Sequence, residues 1–284
     1  MFDPTIKATG TLVAQPELAA KEFPLFVANV HAVLALAPKA AALAANTVQV
    51  WPGGKTFATI GEALNSITDA SQRKQYSVSV GPGTYNEVVV CKPWVFIQGA
   101  GTDQTTVTAA AGPHQWDKGT VRGCSNAAVQ DMTIISTGQT WGDWAVAVNC
   151  DAAQNFDVEN CALQAVDNGN GSNLVAVSID YSSQGGGSQV RLAYTSVVAS
   201  GGAQPIGVIG FAHSYVELTD CKVIAENAGT TWGGASNGGS FLELYNCFVQ
   251  GTRSLTIPDN SSKITARDCQ LVGPYDPGVV IIND

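Results

Sequence analysis

Charge is scarce in this chain. Asp, Glu, Lys and Arg together make up 13% of its 284 residues, against a usual share of roughly 25%. The 14 basic residues are outnumbered by 23 acidic ones, for a net charge of −9. A nucleic-acid partner is excluded, because binding phosphates takes clustered Lys and Arg. A polyanionic substrate is disfavoured too, since the protein's own field would repel it. Paired Cys-x-x-Cys motifs are absent, and the seven cysteines are odd in number. This excludes the usual zinc boxes and argues against a disulfide framework. No Gly-rich phosphate loop stands out, so neither a metal nor another cofactor is expected. The first 20 residues lack a basic stretch followed by an apolar one, which is no ordinary signal peptide, and a cytoplasmic location is the expectation. The apolar run from Phe23 to Ala45 is interrupted by Asn29, His31, Pro38 and Lys39, too broken for a membrane span. Low charge here does not mean disorder, because 45% of the residues are hydrophobic. Thirty glycines beside only two methionines suit a turn-rich β-protein.

An internal repeat carries the main signal. One strand-like unit recurs as Val129–Ile134, Phe156–Cys161, Val190–Ser196, Val216–Cys221, Leu242–Cys247 and Ile264–Cys269. Apolar residues alternate within each unit, as in a strand with one face buried. In each a small polar residue, Asp131, Asn160, Thr195, Asp220, Asn246 or Asp268, precedes a small or soft one. A second ladder interleaves with the first, through Thr120–Cys124, Ala145–Val148, Leu174–Val177, Ile206–Ile209, Ser254–Ile257 and Val279–Ile282. Two strand registers with connections of variable length predict an all-β chain wound as a parallel β-helix, each coil stacked on the next at about 4.8 Å. A sandwich or barrel would need hairpin turns instead. Cys161, Cys221, Cys247 and Cys269 are then expected to form an inward ladder. Residues 1–46 read as a partly helical capping segment that covers an open strand edge, and 47–284 as the β-helix domain. A short helix is expected within Phe57–Ile67. An open C-terminal coil would allow a homo-oligomer.

Residues 50 to 110 resemble the start of a pectinesterase of the pectin-lyase-like superfamily. The resemblance rests on Gly53–Ala63, on Val80–Glu87 with its Gly-x-Tyr-x-Glu element (Gly83, Tyr85, Glu87), and on Phe96–Val107. It implies a right-handed, single-stranded parallel β-helix. It also locates the family's catalytic strands, and there the residues differ. The Gln-Ala-Val-Ala-Leu strand falls on Trp144–Val148, so its Gln is Trp144. The Gln-Asp-Thr-Leu strand falls by register on Asn173–Ala176, which places its acid/base Asp at Leu174; a loop-based alignment places that Asp at Asp167. The nucleophile position falls on Ile206. The Leu-Gly-Arg-Pro-Trp element is matched by Thr230-Thr-Trp232, without the Arg. Ester hydrolysis by that mechanism needs two carboxylates and oxyanion donors, so a pectin methylesterase activity is not expected.

Loops entering the second ladder should stack along one edge, and Trp116, Trp141, Trp144 and Trp232 lie in or beside them. An aromatic cleft is one reading; rings covering the outside of the coils is the other. In the first, Trp116, Trp141, Trp144, Asn173, Leu174, Ile206, Trp232 and Arg122 bind the ligand, and Asp143, Asp167 and His114 supply acid/base chemistry. Three functions follow. A repurposed enzyme would act on a small, largely apolar molecule by a lyase, isomerase or cyclase step. A glycan-active or glycan-binding β-helix would use the aromatic loops on sugar rings. A non-catalytic structural protein would use its coils for assembly.

Overall fold

The computed structural model describes residues 46–54, 56–110, 118–138, 143–169, 171–180, 187–259 and 261–283. The expected capping segment lies outside them, apart from Asn46. The described strands form three parallel sheets of ten, seven and eight strands, and the chain visits the three faces in turn. This is a parallel β-helix.

The ten-stranded sheet holds the first ladder. Two inward rows run along it, Phe156–Val190–Val216–Leu242–Ile264 and Val129–Val158–Leu192–Leu218–Leu244–Ala266. Every member is at most 2% exposed. A buried Val, Leu, Ile or Phe contributes about 1.5–3 kcal/mol, so these rows hold the coils together. The seven-stranded sheet holds most of the second ladder. Two placements differ from expectation. Strand Val280–Ile282 pairs with Lys263–Arg267 and so extends the ten-stranded sheet, and Trp232–Ser236 is a strand of the seven-stranded sheet rather than part of a loop. The eight-stranded sheet, which includes Thr133–Gly138, Ala162–Asp167, Ser196–Ser200 and Lys222–Glu226, is a third face that the two-ladder reading did not separate from the loops.

The corner between the ten- and eight-stranded sheets explains the recurring polar residue. Asp131, Asn160, Tyr194, Asp220, Asn246 and Asp268 adopt left-handed backbone angles, with φ between 49° and 57°. Asn and Asp tolerate this region because their short side chains bond locally. Asn160 Nδ2 donates to Asp131 Oδ1 at 2.6 Å, and Asn246 donates likewise to Asp220. In the third coil this position belongs to Tyr194, not to Thr195. Thr195 stands one residue on, in a column with Met132, Cys161, Cys221, Cys247 and Cys269.

The short helix spans Ile60–Ser66. Its Thr59 and Glu62 form a reciprocal capping box. Glu87 Oε1 and Oε2 accept the backbone N–H groups of Ile60 and Gly61 at 2.8 and 2.9 Å. Tyr85 is 3% exposed and donates its hydroxyl to Gly81 O at 3.1 Å. The Gly-x-Tyr-x-Glu element thus ties a helix to the first coils, which is a structural role.

Candidate functional site

Two outward surfaces carry the chemistry-bearing side chains. The first is the outer side of the seven-stranded sheet. Register aligns Val146, Val175, Ile206, Trp232 and Arg253 in one rung. A second rung holds Arg122, Asn149, Ser178, Ile209, Ala235 and Thr256. Val146, Val175, Ile206, Ile209 and Ala235 form a cluster separate from the interior core, with Trp144, Phe211 and Trp232 packed against it. None of the cluster's five members exceeds 2% exposure, so they are packed rather than open. In the polar rung Asn149 Oδ1 accepts from Gly119 N–H at 2.8 Å. Arg122 Nε, Ser178 Oγ and Thr256 Oγ1 are buried and have no hydrogen-bond partner among the described residues.

The expected site residues therefore separate. Trp144, Ile206, Trp232 and Arg122 share this outer side. Leu174 does not: it is fully buried in the interior core, on the opposite side of its strand from Val175. It pairs with Pro205 while Ile206 pairs with Val175, so the two positions mapped to the family's carboxylates face opposite ways. Asn173, half-buried, pairs with Trp144. Asp143 is 3% exposed, and its carbonyl accepts the Asn173 N–H at 2.9 Å. Asp167 accepts from the N–H groups of Gly169, Gly171 and Ser172 at 3.1, 3.2 and 3.1 Å, which makes it the organiser of its turn. His114, Trp116 and Trp141 lie outside the described residues. None of the seven strands of this sheet contains Asp or Glu.

The second surface is the outer side of the ten-stranded sheet, which sequence reasoning passed over. One outward row holds Gln189, Tyr215, Phe241 and Lys263, and the next holds Asp157, Arg191, Glu217, Glu243 and Thr265. A cleft of about 270 Å³ opens here between Asn155, Asp157, Gln189, Arg191, Tyr215 and Glu217. Arg191 Nε donates to Asp157 Oδ1 at 3.1 Å. Glu217 and Glu243 occupy directly opposed positions on adjacent strands, where like charges destabilise. Phenols mediate between them. Tyr215 donates to Glu243 Oε2 at 2.6 Å and lies 3.5 Å from Glu217 Oε2; Tyr245 donates to Glu243 Oε2 at 2.9 Å. Burial and the bond to Glu243 raise the Tyr215 phenol above its ordinary range. Tyr245 is raised too, first by its bond to Glu243. Both phenols stay protonated donors at neutral pH. The signal was legible in Val216-Glu-Leu and Leu242-Glu-Leu, whose outward glutamates recur at one register.

Among the described residues no group of three or more His, Cys, Asp or Glu is arranged to hold a metal ion. No described helix is long and apolar enough to cross a membrane.

No family model matches the chain, and no curated protein matches it in sequence. Solved structures do match. Against a pectin methylesterase from Aspergillus niger the TM-score is 0.60 at 16% identity, covering 83% of this chain and 84% of that one. Against pectin methylesterase from carrot it is 0.56 at 15% identity, covering 84% and 88%. At these identities the likeness establishes the fold: the chain shares the parallel β-helix of the pectin methylesterases.

Proposed function

We propose that this chain is a glycan-binding β-helix protein whose ligand lies along the outer side of the ten-stranded sheet, seated in the cleft beside Tyr215. The carrying observation is one phenol oxygen within reach of two directly opposed glutamates at the rim of that cleft. Carboxylates accept hydroxyl protons, Arg191 and Gln189 offer donors, and the Tyr215 ring supplies a flat apolar edge. A ligand rich in hydroxyls satisfies all three, and it also relieves the Glu217–Glu243 repulsion. A net charge of −9 favours an uncharged glycan over an acidic one. The test is calorimetric titration with neutral and acidic oligosaccharides. Glu243→Gln removes a charged acceptor, worth about 1.5–3 kcal/mol or roughly 10- to 150-fold in affinity. Tyr215→Phe keeps the ring and removes the phenol, for a smaller loss of about 2- to 10-fold. Glu243→Gln, which relieves the repulsion, should melt no lower than the parent, and Tyr215→Phe should remain folded with a small loss of about 1 kcal/mol. Absence of binding to any oligosaccharide, or binding unchanged in both variants, refutes the reading.

A second reading keeps the small, largely apolar ligand on the seven-stranded sheet, with a lyase, isomerase or cyclase step. Its support is the buried Arg122 Nε and Ser178 Oγ, without partners among the described residues, beside an apolar cluster flanked by Trp144 and Trp232. Buried donors without partners cost about 1–3 kcal/mol each, and a carboxylate-bearing ligand would supply acceptors. Quenching of tryptophan fluorescence by aromatic acids, lost in Trp232→Ala, supports it; no response from any such ligand removes it. The absence of Asp and Glu from the seven strands speaks against paired-carboxylate esterase chemistry on this face.

A further inference from the structure

A column of thiols lines the corner where the ten-stranded sheet passes into the eight-stranded one. Register sets Cys221, Cys247 and Cys269 in direct succession on adjacent strands. Adjacent strands lie about 4.8 Å apart, inside the Cα separation of roughly 4.4–6.8 Å that disulfides span. The Cys269 sulfur leans along the column, since the Cys247 backbone N–H donates to its Sγ at 3.4 Å. The other bonds of the two sulfurs are weak S–H bonds to carbonyls, Cys247 to Tyr245 at 3.2 Å and Leu218 at 3.5 Å, and Cys269 to Arg267 at 3.2 Å. Cys221 and Cys247 are 3% and 2% exposed, whereas Cys269 is half-buried and opens one end of the column to small reagents. All three are free thiols. Cys221 stands equally close to Cys247, but both are nearly fully buried and lack the opening that Cys269 provides; the remaining thiols are kept apart. Thr195 separates Cys161 from Cys221, and Gly123 stands between Cys91 and Cys150.

We infer that Cys247 and Cys269 form an oxidation site, at which a small peroxide joins two successive coils through a disulfide. The Cys269 thiolate attacks one peroxide oxygen and breaks the O–O bond. A sulfenic acid forms, and the released hydroxide takes up the thiol proton to leave as water. The Cys247 thiolate then attacks the sulfenic sulfur: the S–S bond forms, the S–O bond breaks, and a second water leaves. Two thiols are oxidised and one peroxide is reduced. The Cys269 thiol is held above its ordinary range by its bond with Cys247 and by burial, so the thiolate is rare and the step needs excess oxidant.

Thr195 supplies the control. It occupies the same column and donates its hydroxyl to the carbonyl two residues back, Ala193, at 2.8 Å. Serine at 247 or 269 keeps that bond and the fold. The experiment treats the full reduced chain with hydrogen peroxide, blocks remaining thiols, and maps tryptic peptides. Cleavage after Lys222, Arg253 and Arg267 puts Cys221, Cys247 and Cys269 on separate peptides. The expected product is lighter by two hydrogens and carries one cross-link, between the peptides of Cys247 and Cys269, which reductant removes. Cys269→Ser and Cys247→Ser should each lose it, with melting curves like the parent's, and Cys161→Ser should keep it. Sulfinic or sulfonic acid at Cys269 with Cys247 still a free thiol overturns the inference. So does a cross-link through Cys91, Cys124 or Cys150, or one that forms equally fast in the denatured chain.

Discussion

Replacing Tyr194 by asparagine should stabilise the protein, although it deletes a large aromatic side chain. Tyr194 sits at φ 51° in a column whose five other members are Asn or Asp. Its ring is mostly in solvent, at 60% exposure, so little apolar burial is lost. A left-handed backbone costs an ordinary L-residue roughly 1–2 kcal/mol, and Asn recovers much of it through local bonds. The introduced amide would also stand between Asn160 and Asp220, joining two side-chain ladders that Tyr194 now interrupts. Such an exposed bond adds at most about 0.5–1.5 kcal/mol. The net expectation is a gain of about 1–2 kcal/mol. At about 2–4 °C per kcal/mol for a domain of this size, the melting temperature should rise by several degrees. The assay is thermal unfolding followed by circular dichroism, with Tyr194→Ala as the control that removes the ring but keeps a Cβ in the strained region. If the asparagine variant melts no higher than both the parent and the alanine variant, the account of this corner is wrong.

Three more expectations follow from the same geometry. A maleimide should label native Cys124 and Cys269 first, because both are half-buried, while Cys91, Cys150, Cys161, Cys221 and Cys247 should react only on unfolding; burial pushes the Cys161 thiol up to about 12, and fast native labelling of these five would contradict their burial. Burial raises the Asp259 carboxyl, but bonds from Ser262, Ser261 and the Gly238 N–H outweigh it and leave it at about 2, below its ordinary 3.8. A carboxyl depressed on folding stabilises the folded state above its unfolded value and loses that contribution as pH falls from about 4 toward 2; Asp259→Asn should flatten acid unfolding in that window, and an unchanged acid midpoint counts against it. Gly123→Ala should cost about 1–3 kcal/mol by overpacking, because its Cβ would stand 2.1 Å from Cys150 Sγ and 2.8 Å from the Phe156 ring; a variant that melts with the parent would contradict that packing.

The fold was legible because stacking repeats its own chemistry. Apolar alternation in units such as Val216–Cys221 and Leu242–Cys247 marks one buried face, and each Asp or Asn marks one left-handed corner. Tyr194 hid the register of its coil, since nothing in an isolated Tyr-Thr pair says which residue bends. The third sheet was obscured for a related reason. Its strands, such as Lys222–Glu226, begin two residues beyond the corner, and in sequence they read as the tail of one ladder and the loop before the next. Trp232 read as a loop residue because Trp232-Gly-Gly resembles a turn; with Gly233 and Gly234 packed against the coil, it is a strand whose interior has no room for larger side chains. The Glu217–Glu243 pair needs a register to be seen, because 26 residues separate two carboxylates that the coil sets side by side. Leu174 misled because alternate residues of a strand face opposite ways, and alignment to a remote relative can miss by one.

Within the strands of the seven-stranded sheet, successive coils present Ala147, Ala176, Gly207, Gly233 and Ser254, and strand pairing skips these positions each time. A Cβ on Gly207 would stand 2.4 Å from Val223 Cγ1, and one on Gly233 2.5 Å from Val249 Cγ1. The chain taken per turn varies as well, from 34 residues between Cys161 and Thr195 to 22 between Cys247 and Cys269. At this one position the turns are therefore not interchangeable parts. A turn bearing alanine, copied into the place of the Gly207 or Gly233 turn, would bring a methyl group into occupied space. Lengthening the molecule by duplication therefore requires fitting that one residue to the space its own coil leaves, turn by turn.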